Sequence, residues 1–317
     1  MREIGGYIEF EYFHGQMRHE AGIKLSSGRN CLEYLIKTKS IQKIVLPSFM
    51  CNSVIDLFKK FNVQIRFYQV GFDFLSENIE ILDEEFFYLM NYYGQLNKNV
   101  IELYRNRYRN VIVDNAQAYF EDPVPGTDTF YTCRKYFGVP DGAVLFTNVF
   151  LHKELERSSS REHMNHLLGR LELSASDFYL QSISNNKRFA DQSLLKMSIL
   201  TENLLHGIDY EFIKNSRTKN YSYLAKRLGN INRLRLRDIE GAFAYPLMLE
   251  NADALRKNLI QNNVYVPLLW PNVLTESFAT PLDRELASDI LPLPCDQRYT
   301  EEDMEYICNL ILRQVEK

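Results

Sequence analysis

One stretch of the chain, Val111 to Gly142 (VIVDNAQAYFEDPVPGTDTFYTCRKYFGVPDG), gathers residue types suited to chemistry on a carbonyl. Asp114 ends an apolar run that reads as a buried strand. An acid there is costly to ionise unless something pairs with it. A protonated heterocyclic nitrogen is one such partner, and a cap on the following helix or loop is the plainer one. Further on, the TxxK spacing of Thr132 and Lys135 lets a hydroxyl hold a phosphate while the amine reaches an aldehyde of the same molecule. A lysine in a mostly apolar stretch, with Arg134 beside it, has a lowered pKa and serves as an amine nucleophile. The plainer reading is a solvated basic turn. It loses ground because Gly138, Pro140, Asp141 and Gly142 follow and turn the chain tightly into the strand-like AVLFT. A third piece is LSSGRNCL (Leu25–Leu32). Ser26 or Ser27 caps a helix beginning near Arg29, aiming free backbone N–H groups at an anion. Gly28 permits close backbone approach.

The elements that must position these groups follow from hydrophobic pattern. Apolar runs suited to buried strands occur at Lys43–Pro47, Gln64–Val70, Glu85–Tyr92, Asn110–Asp114 and Ala143–Thr147. Helix-like stretches lie between them, at Cys31–Lys39, Ser53–Phe61 and Lys98–Tyr108. Such alternation predicts an α/β sheet with helical crossovers, whose ligands gather outside the carboxyl ends of the strands. Asp114 is at one of those ends. From about Asn148 to Leu205 the sequence is polar and helical. Beyond it come a long helix (Asp209–Leu228), a strand (Ala242–Leu249), a helix (Ala252–Gln261), extended pieces at Val264–Leu269 and Ile290–Leu293, and a final helix from about Thr300. The expected division is a large α/β domain over residues 1–205, with an amino-terminal arm, and a smaller α+β domain over 206–317.

Composition narrows the function class. At 317 residues the chain is long for one core, and a net charge of -4 argues against a general nucleic-acid binder. Twenty Tyr and 20 Phe are then core and pocket wall rather than base platforms. Neither a secretory leader nor a membrane span is expected. Five widely spaced cysteines without a CxxC pair read as reduced thiols of a cytoplasmic protein. His163 and His166 could share a helix face but lack acidic or Cys neighbours, so no metal is expected.

Taken in order, these islands resemble the DegT/StrS family of sugar aminotransferases, fold-type-I pyridoxal-phosphate enzymes. LSSGRNCLEYL is similar to that family's SGTxAL phosphate turn, VIVDNAQAYF to its (V/I)EDAAQAxG stretch, and FYTCRKYFGVPDGA to its Schiff-base segment. NYYGQ (Asn91–Gln95) resembles HxYG, and LPLPCDQRYTEEDM resembles the family's carboxyl-terminal tail. The resemblance runs from about Gly5 to the carboxyl terminus. It implies a large, mainly parallel sheet domain with helices on both faces, a smaller carboxyl-terminal domain, and pyridoxal 5'-phosphate as cofactor. Lys135 would be the Schiff-base lysine and Asp114 the partner of the ring nitrogen. Gln117 would lie near the ring hydroxyl. Thr132 would replace the usual phosphate-binding serine, and Gly28, Arg29 and Asn30 would offer N–H groups to the phosphate. Phe49 in LPSFMCNS, or Cys51 in the same segment, would lie over the ring, and Asn185 or Asn186 would stand for the family's second-subunit Asn. The implied reaction moves an amino group from an amino acid, glutamate in this family, to a keto substrate such as a nucleotide-linked keto-sugar, in a homodimer. Three departures mark the chain: TCRK shortens the family's SFxxxK, PDGA replaces GEGG, and Arg29 stands where Thr is usual. The alternatives are a lyase or dehydratase with the same cofactor, or a regulatory binder without turnover. Arg66, Arg188, Arg217 and Arg298 are all candidates for an acidic substrate group.

Overall fold

The computed structural model of the chain describes residues 4–76 and 79–315. After an exposed amino-terminal segment, β1 (Ile23–Leu25) leads into α1 (Gly28–Lys39). Then follow β2 (Lys43–Pro47), α2 (Asn52–Lys60), β3 (Gln64–Tyr68), β4 (Phe86–Met90), α3 (Lys98–Arg107), β5 (Val111–Asp114), β6 (Asp128–Thr132) and β7 (Ala143–Phe146). These strands form one seven-stranded sheet in the order β1-β7-β6-β5-β4-β2-β3. Pairings among β3, β2, β4, β5 and β6 are parallel, whereas β7 runs antiparallel to both β6 and β1. Every residue of β4 and β5 is buried, as expected of strands covered on both faces. The chain steps outward from β2 to β3, then returns past β2 to β4. That reversal opens a crevice at the carboxyl ends of β2 and β4, with Asp114 one strand further along.

The remaining elements are α4 (Asn165–Glu172), α5 (Tyr179–Lys187), α6 (Ile199–His206), α7 (Tyr210–Leu228), β8 (Tyr245–Met248), α8 (Ala252–Gln261), α9 (Pro281–Asp289), β9 (Ile290–Leu293) and α10 (Glu301–Val315). β8 and β9 make a separate antiparallel pair. Its core joins Leu224, Leu247, Leu259, Leu291 and Ile311; the main core gathers Val45, Phe49, Phe87, Leu89, Ile112 and Val113 of the large sheet and its neighbours, and a third cluster joins Tyr119, Tyr131, Tyr136 and Phe137 to Cys133 of the TCRK segment. No described helix is long and apolar enough to cross a membrane.

The architecture is the α/β class expected, a mainly parallel sheet with helical crossovers, with local differences. β1 and β6 were not expected, because IKL is short and DTFYT mixes polar with apolar residues. Helix α9 was also missed, although Pro281 at its first turn and the Thr280/Asp283 capping box announce it. The piece Val264–Leu269 forms no strand, and the run Ala242–Leu249 pairs only over Tyr245–Met248.

Candidate active site

Asp114 ends β5 with its carboxylate buried at 5% exposure. Its Oδ1 accepts from the Ala116 N–H (2.8 Å) and its Oδ2 from the Tyr88 hydroxyl (2.6 Å). The strand register makes the second bond possible. Met90 faces Asp114 across the β4–β5 pair, and Tyr88, two residues earlier, shares the face of Met90. Burial pushes the Asp114 pKa up, against the opposing pull of Lys135, the Tyr88 bond and the Ala116 N–H. The plainer reading of Asp114 as a local cap is therefore partly met, since one oxygen turns the backbone at Ala116. The other accepts from Tyr88.

Lys135 closes a short 3-10 turn after β6. Its side chain is exposed to water yet lies deep among protein atoms, which describes a group lining a cleft. Burial lowers its pKa, Asp114 and Cys51 oppose that shift, and Arg134 adds to it. The Nζ makes no hydrogen bond or ion pair among the described residues, and sits 5.6 Å from the centre of the Phe243 ring. Asp114 likewise makes no ion pair there. Amine and carboxylate thus influence each other without forming an ion pair.

The phosphate-turn candidates lie beside this pair. Ser27 caps α1, its hydroxyl accepting from the Asn30 N–H at 3.2 Å. That bond corrects one expectation, because the Asn30 N–H is engaged and its side chain is spent on Ser193 and Leu195. Gly28 and Arg29 keep N–H groups without partners among the described residues, as the first turn of a helix requires. A Cβ at Gly28 would stand 2.9 Å from the Thr132 methyl and 3.3 Å from the Phe130 ring, so the turn and the TxxK segment are in contact. Thr132 sits at the carboxyl end of β6, its hydroxyl donating weakly to the Ala116 carbonyl (3.4 Å). Gln117 is buried, accepts from the Tyr93 N–H at 2.8 Å through Oε1, and its amide nitrogen has no hydrogen-bond partner among the described residues. Tyr93 has a positive φ of 52°, a strained turn held by that bond.

Phe49 does not take the place expected of it. The ring is 1% exposed, stacked on Tyr92 (5.4 Å) and edge-on to Trp270 (4.6 Å), inside the main core. Cys51 is the residue of LPSFMCNS that lies near Lys135. Of the asparagines named above, Asn185 gives a hydrogen bond to the Pro140 carbonyl (3.0 Å) and Asn186 accepts one from Arg134 (2.5 Å), both within this chain. Asp141 explains the PDGA departure. It accepts from the Ser198 N–H (3.0 Å), the Ser198 hydroxyl (2.7 Å) and the Thr201 hydroxyl, so it anchors the start of α6. Gly142 follows with φ 111° and space for no side chain.

Residues beyond 205 bond to the segments around Lys135 and Gln117. Arg217 and Gln297 donate to the Tyr136 carbonyl at 3.2 and 2.9 Å, and Arg217 lies over the Tyr136 ring. Arg237 reaches Gly94 O (2.6 Å), Gln95 O (2.9 Å) and Glu121 (2.7 Å). Sequence reasoning missed Tyr88, Phe243 and Arg237. Only Tyr88 carried a signal, the two-residue periodicity of a strand beside that of Asp114. A surface cavity of about 550 Å³ lies elsewhere, around Glu20, Lys24, Phe150 and Glu202. Its Lys24, Arg157 and Lys196 are paired with Glu20, Glu202 and Glu154, so it offers no comparable chemistry.

No known family profile matches the chain, and no curated protein does. Solved structures do match. A DegT DnrJ EryC1 StrS aminotransferase from Brucella abortus is 17% identical, with 91% of this chain and 84% of that one aligned at a TM-score of 0.62. The sugar aminotransferase CalS13 from Micromonospora echinospora is 12% identical, with 91% and 86% aligned at 0.64. DesV from S. venezuelae is 12% identical, with 93% and 85% aligned at 0.66. At these identities the likeness concerns architecture, and the chain has the fold of these aminotransferases.

Proposed function

We propose that the chain is a pyridoxal-phosphate-dependent aminotransferase, a divergent member of the DegT/StrS family. The observation that carries this reading is a buried strand-end carboxylate, Asp114, near enough to the Lys135 amine for each to shift the other, with no ion pair between them among the described residues. The donor set fits the cofactor. Gly28 and Arg29 offer N–H groups and Thr132 a hydroxyl to a phosphate, Asp114 offers a carboxylate to a ring nitrogen, and Gln117 offers an amide N–H to a ring hydroxyl. When bound, pyridoxal phosphate supplies an aldehyde that reacts with amines and a ring that accepts electron density from the adjacent carbon.

The protein's own work follows from the geometry. Asp114 would hold a proton on the ring nitrogen, and Tyr88 and the Ala116 N–H fix the carboxylate in place. Lys135, with its pKa lowered, has a larger neutral fraction near neutral pH than an ordinary lysine and so attacks a carbonyl more readily. As a free amine, Lys135 would also take a proton from the donor's α-carbon and give it back as the amino group is transferred. Glutamate is the donor and a nucleotide-linked keto-sugar the acceptor that the resemblance suggests. Two structural relatives have sugars in their names, CalS13 as a sugar aminotransferase and DesI with a TDP-sugar product. A homodimer and the cytoplasm belong to the same reading, the latter supported by five unpaired cysteines. The test is Lys135→Ala. It should lose the visible absorbance of covalently held cofactor and all conversion of glutamate to 2-oxoglutarate. Retention of both would remove the assignment.

A further inference from the structure

Arg217 of α7 is a guanidinium buried to 2% exposure. It forms no ion pair among the described residues, and Asp296, which acts on it from further off, is bonded to Arg298. Its donors go instead to separate segments of the chain. Nε donates to Gln297 Oε1 (2.8 Å), Nη1 to the Ala242 carbonyl (2.8 Å) and more weakly to that of Phe243 (3.5 Å), and Nη2 to the Tyr136 carbonyl (3.2 Å). Gln297 donates to the same Tyr136 carbonyl at 2.9 Å. Neighbouring residues of α7 fasten the same segments. The Thr218 hydroxyl accepts from the Gly241 N–H at 2.9 Å, and Asn220 donates to the carbonyls of Asp296 (3.2 Å) and Tyr299 (2.9 Å). Gly241 has φ 64°, and a Cβ there would stand 2.3 Å from the Phe120 ring, so its segment is seated closely on that ring.

Burying a guanidinium without a carboxylate is costly, and an apolar side chain of similar size would fill the same space at less cost. What the guanidinium adds is a planar fork with fixed donor directions. Here the fork joins two pieces of chain that meet at one amine. Tyr136 directly follows Lys135, and Phe243 carries the ring over which the Lys135 Nζ lies, 5.6 Å from its centre. The Phe243 ring is half-buried and also leans on that of Tyr136, with the two centres 6.2 Å apart. An aromatic face at such a distance favours the charged form of an amine. It therefore opposes the effect of burial on Lys135, as Asp114 and Cys51 do, while Arg134 acts with burial.

We propose that Arg217 is a positioning residue for Lys135: by bonding the Tyr136 carbonyl on one side and the Ala242 and Phe243 carbonyls on the other, it holds the Phe243 ring against the amine and so sets the pH at which that amine turns nucleophilic. The proposal rests on the reading of Lys135 as the reacting amine. Arg217 makes no bond to Lys135 itself, so its influence passes through Phe243 and the Tyr136 peptide.

The test is reductive methylation of the cofactor-free protein with formaldehyde and cyanoborohydride over a range of pH. The rate at Lys135 is read by peptide mass spectrometry. Replacing Phe243 by pentafluorophenylalanine nearly keeps the size of the ring and reverses the charge of its face. That exchange should lower the midpoint of the Lys135 pH–rate profile by about 0.4 to 1.5 pH units. Arg217→Lys loses the fork, and in that background the same exchange should move the midpoint less than about half as far. Phe243→Tyr keeps an aromatic face and should behave as the wild type. An unmoved midpoint after fluorination overturns the contact. A full fluorination effect in the Arg217→Lys protein overturns the positioning role, whatever that protein loses in thermal stability. If Arg217→Lys fails to fold, Gln297→Met, which removes the acceptor of Arg217 Nε and one donor to Tyr136, carries the comparison. Titration with pyridoxal phosphate separates this result from the proposed function. A wild type that binds none loses the aminotransferase reading, whereas the methylation profiles still decide the role of Arg217.

Discussion

Replacing Tyr88 by Phe removes one oxygen from a fully buried ring and nothing else. The ring itself stays packed near Phe58 and Phe130, so no cavity is created. What is lost is the 2.6 Å bond to Asp114 Oδ2. A hydrogen bond to an ionised group contributes about 1.5–3 kcal/mol, and here the acceptor is left buried without its donor. Burial already holds the folded-state pKa of Asp114 above its ordinary value. The folded state therefore binds the proton more tightly than the unfolded chain, and the contribution of Asp114 to stability falls as pH rises from the ordinary carboxylate range through the folded value. Without Tyr88 the folded value rises further. The loss relative to wild type is then small at acid pH, where Asp114 is protonated in both folded proteins. It grows as pH climbs through the two folded values and levels off above them at about 1.5–3 kcal/mol. Urea unfolding of the cofactor-free protein at a series of pH values measures it. A loss of the same size at every pH, or none at neutral pH, would refute the argument that Tyr88 acts on the charged carboxylate.

Other parts of the site make their own predictions. Gly28→Ala drives a methyl to 2.9 Å from Thr132 Cγ2, an overpacking cost of about 1–3 kcal/mol that should weaken pyridoxal phosphate roughly tenfold. Adding Thr132→Ser removes the colliding carbon and should recover most of that affinity, as a cofactor titration of the double variant would reveal. Asp141→Ala strands three buried donors at the start of α6 and should cost at least about 3 kcal/mol in chemical denaturation. A loss under about 1 kcal/mol would contradict its anchoring role. Four cysteines are buried and Cys51 is partly open, so iodoacetamide should modify one thiol quickly. Cys51→Ser should abolish that fast phase, and bound pyridoxal phosphate should slow it if Cys51 borders the occupied cleft.

The parallel core was legible because β2, β4 and β5 are continuous apolar runs, and the position of Asp114 at a strand end followed from the run it closes. The contact between Gly28 and Thr132 was foreshadowed by two short motifs far apart in sequence, each of which needed an anion. What the pattern could not supply was orientation. Phe49 is a large aromatic in the expected segment, yet its ring turns inward onto Tyr92 and Trp270 because a buried stack satisfies it better than a cleft. Asn30 was counted as an anion donor until the Ser27 cap claimed its N–H, a choice decided by side-chain rotamer rather than residue type. β6 escaped notice since its alternating polar residues look like a loop until β5 and β7 pair on either side. The roles of Arg237 and Phe243 depend on contacts between segments more than a hundred residues apart, which no local pattern encodes.

The bonds that Arg217, Gln297 and Arg237 send across to Tyr136, Gly94 and Glu121 bear on how this protein could be recombined. A chimera that joined its first 205 residues to the tail of a distant relative would keep Lys135 and Asp114 but lose the groups that hold the loop next to the lysine. Such a hybrid needs both halves of each handshake exchanged together. Transplanting the tail alone would yield a scaffold with the right reactive groups and the wrong spacing between them.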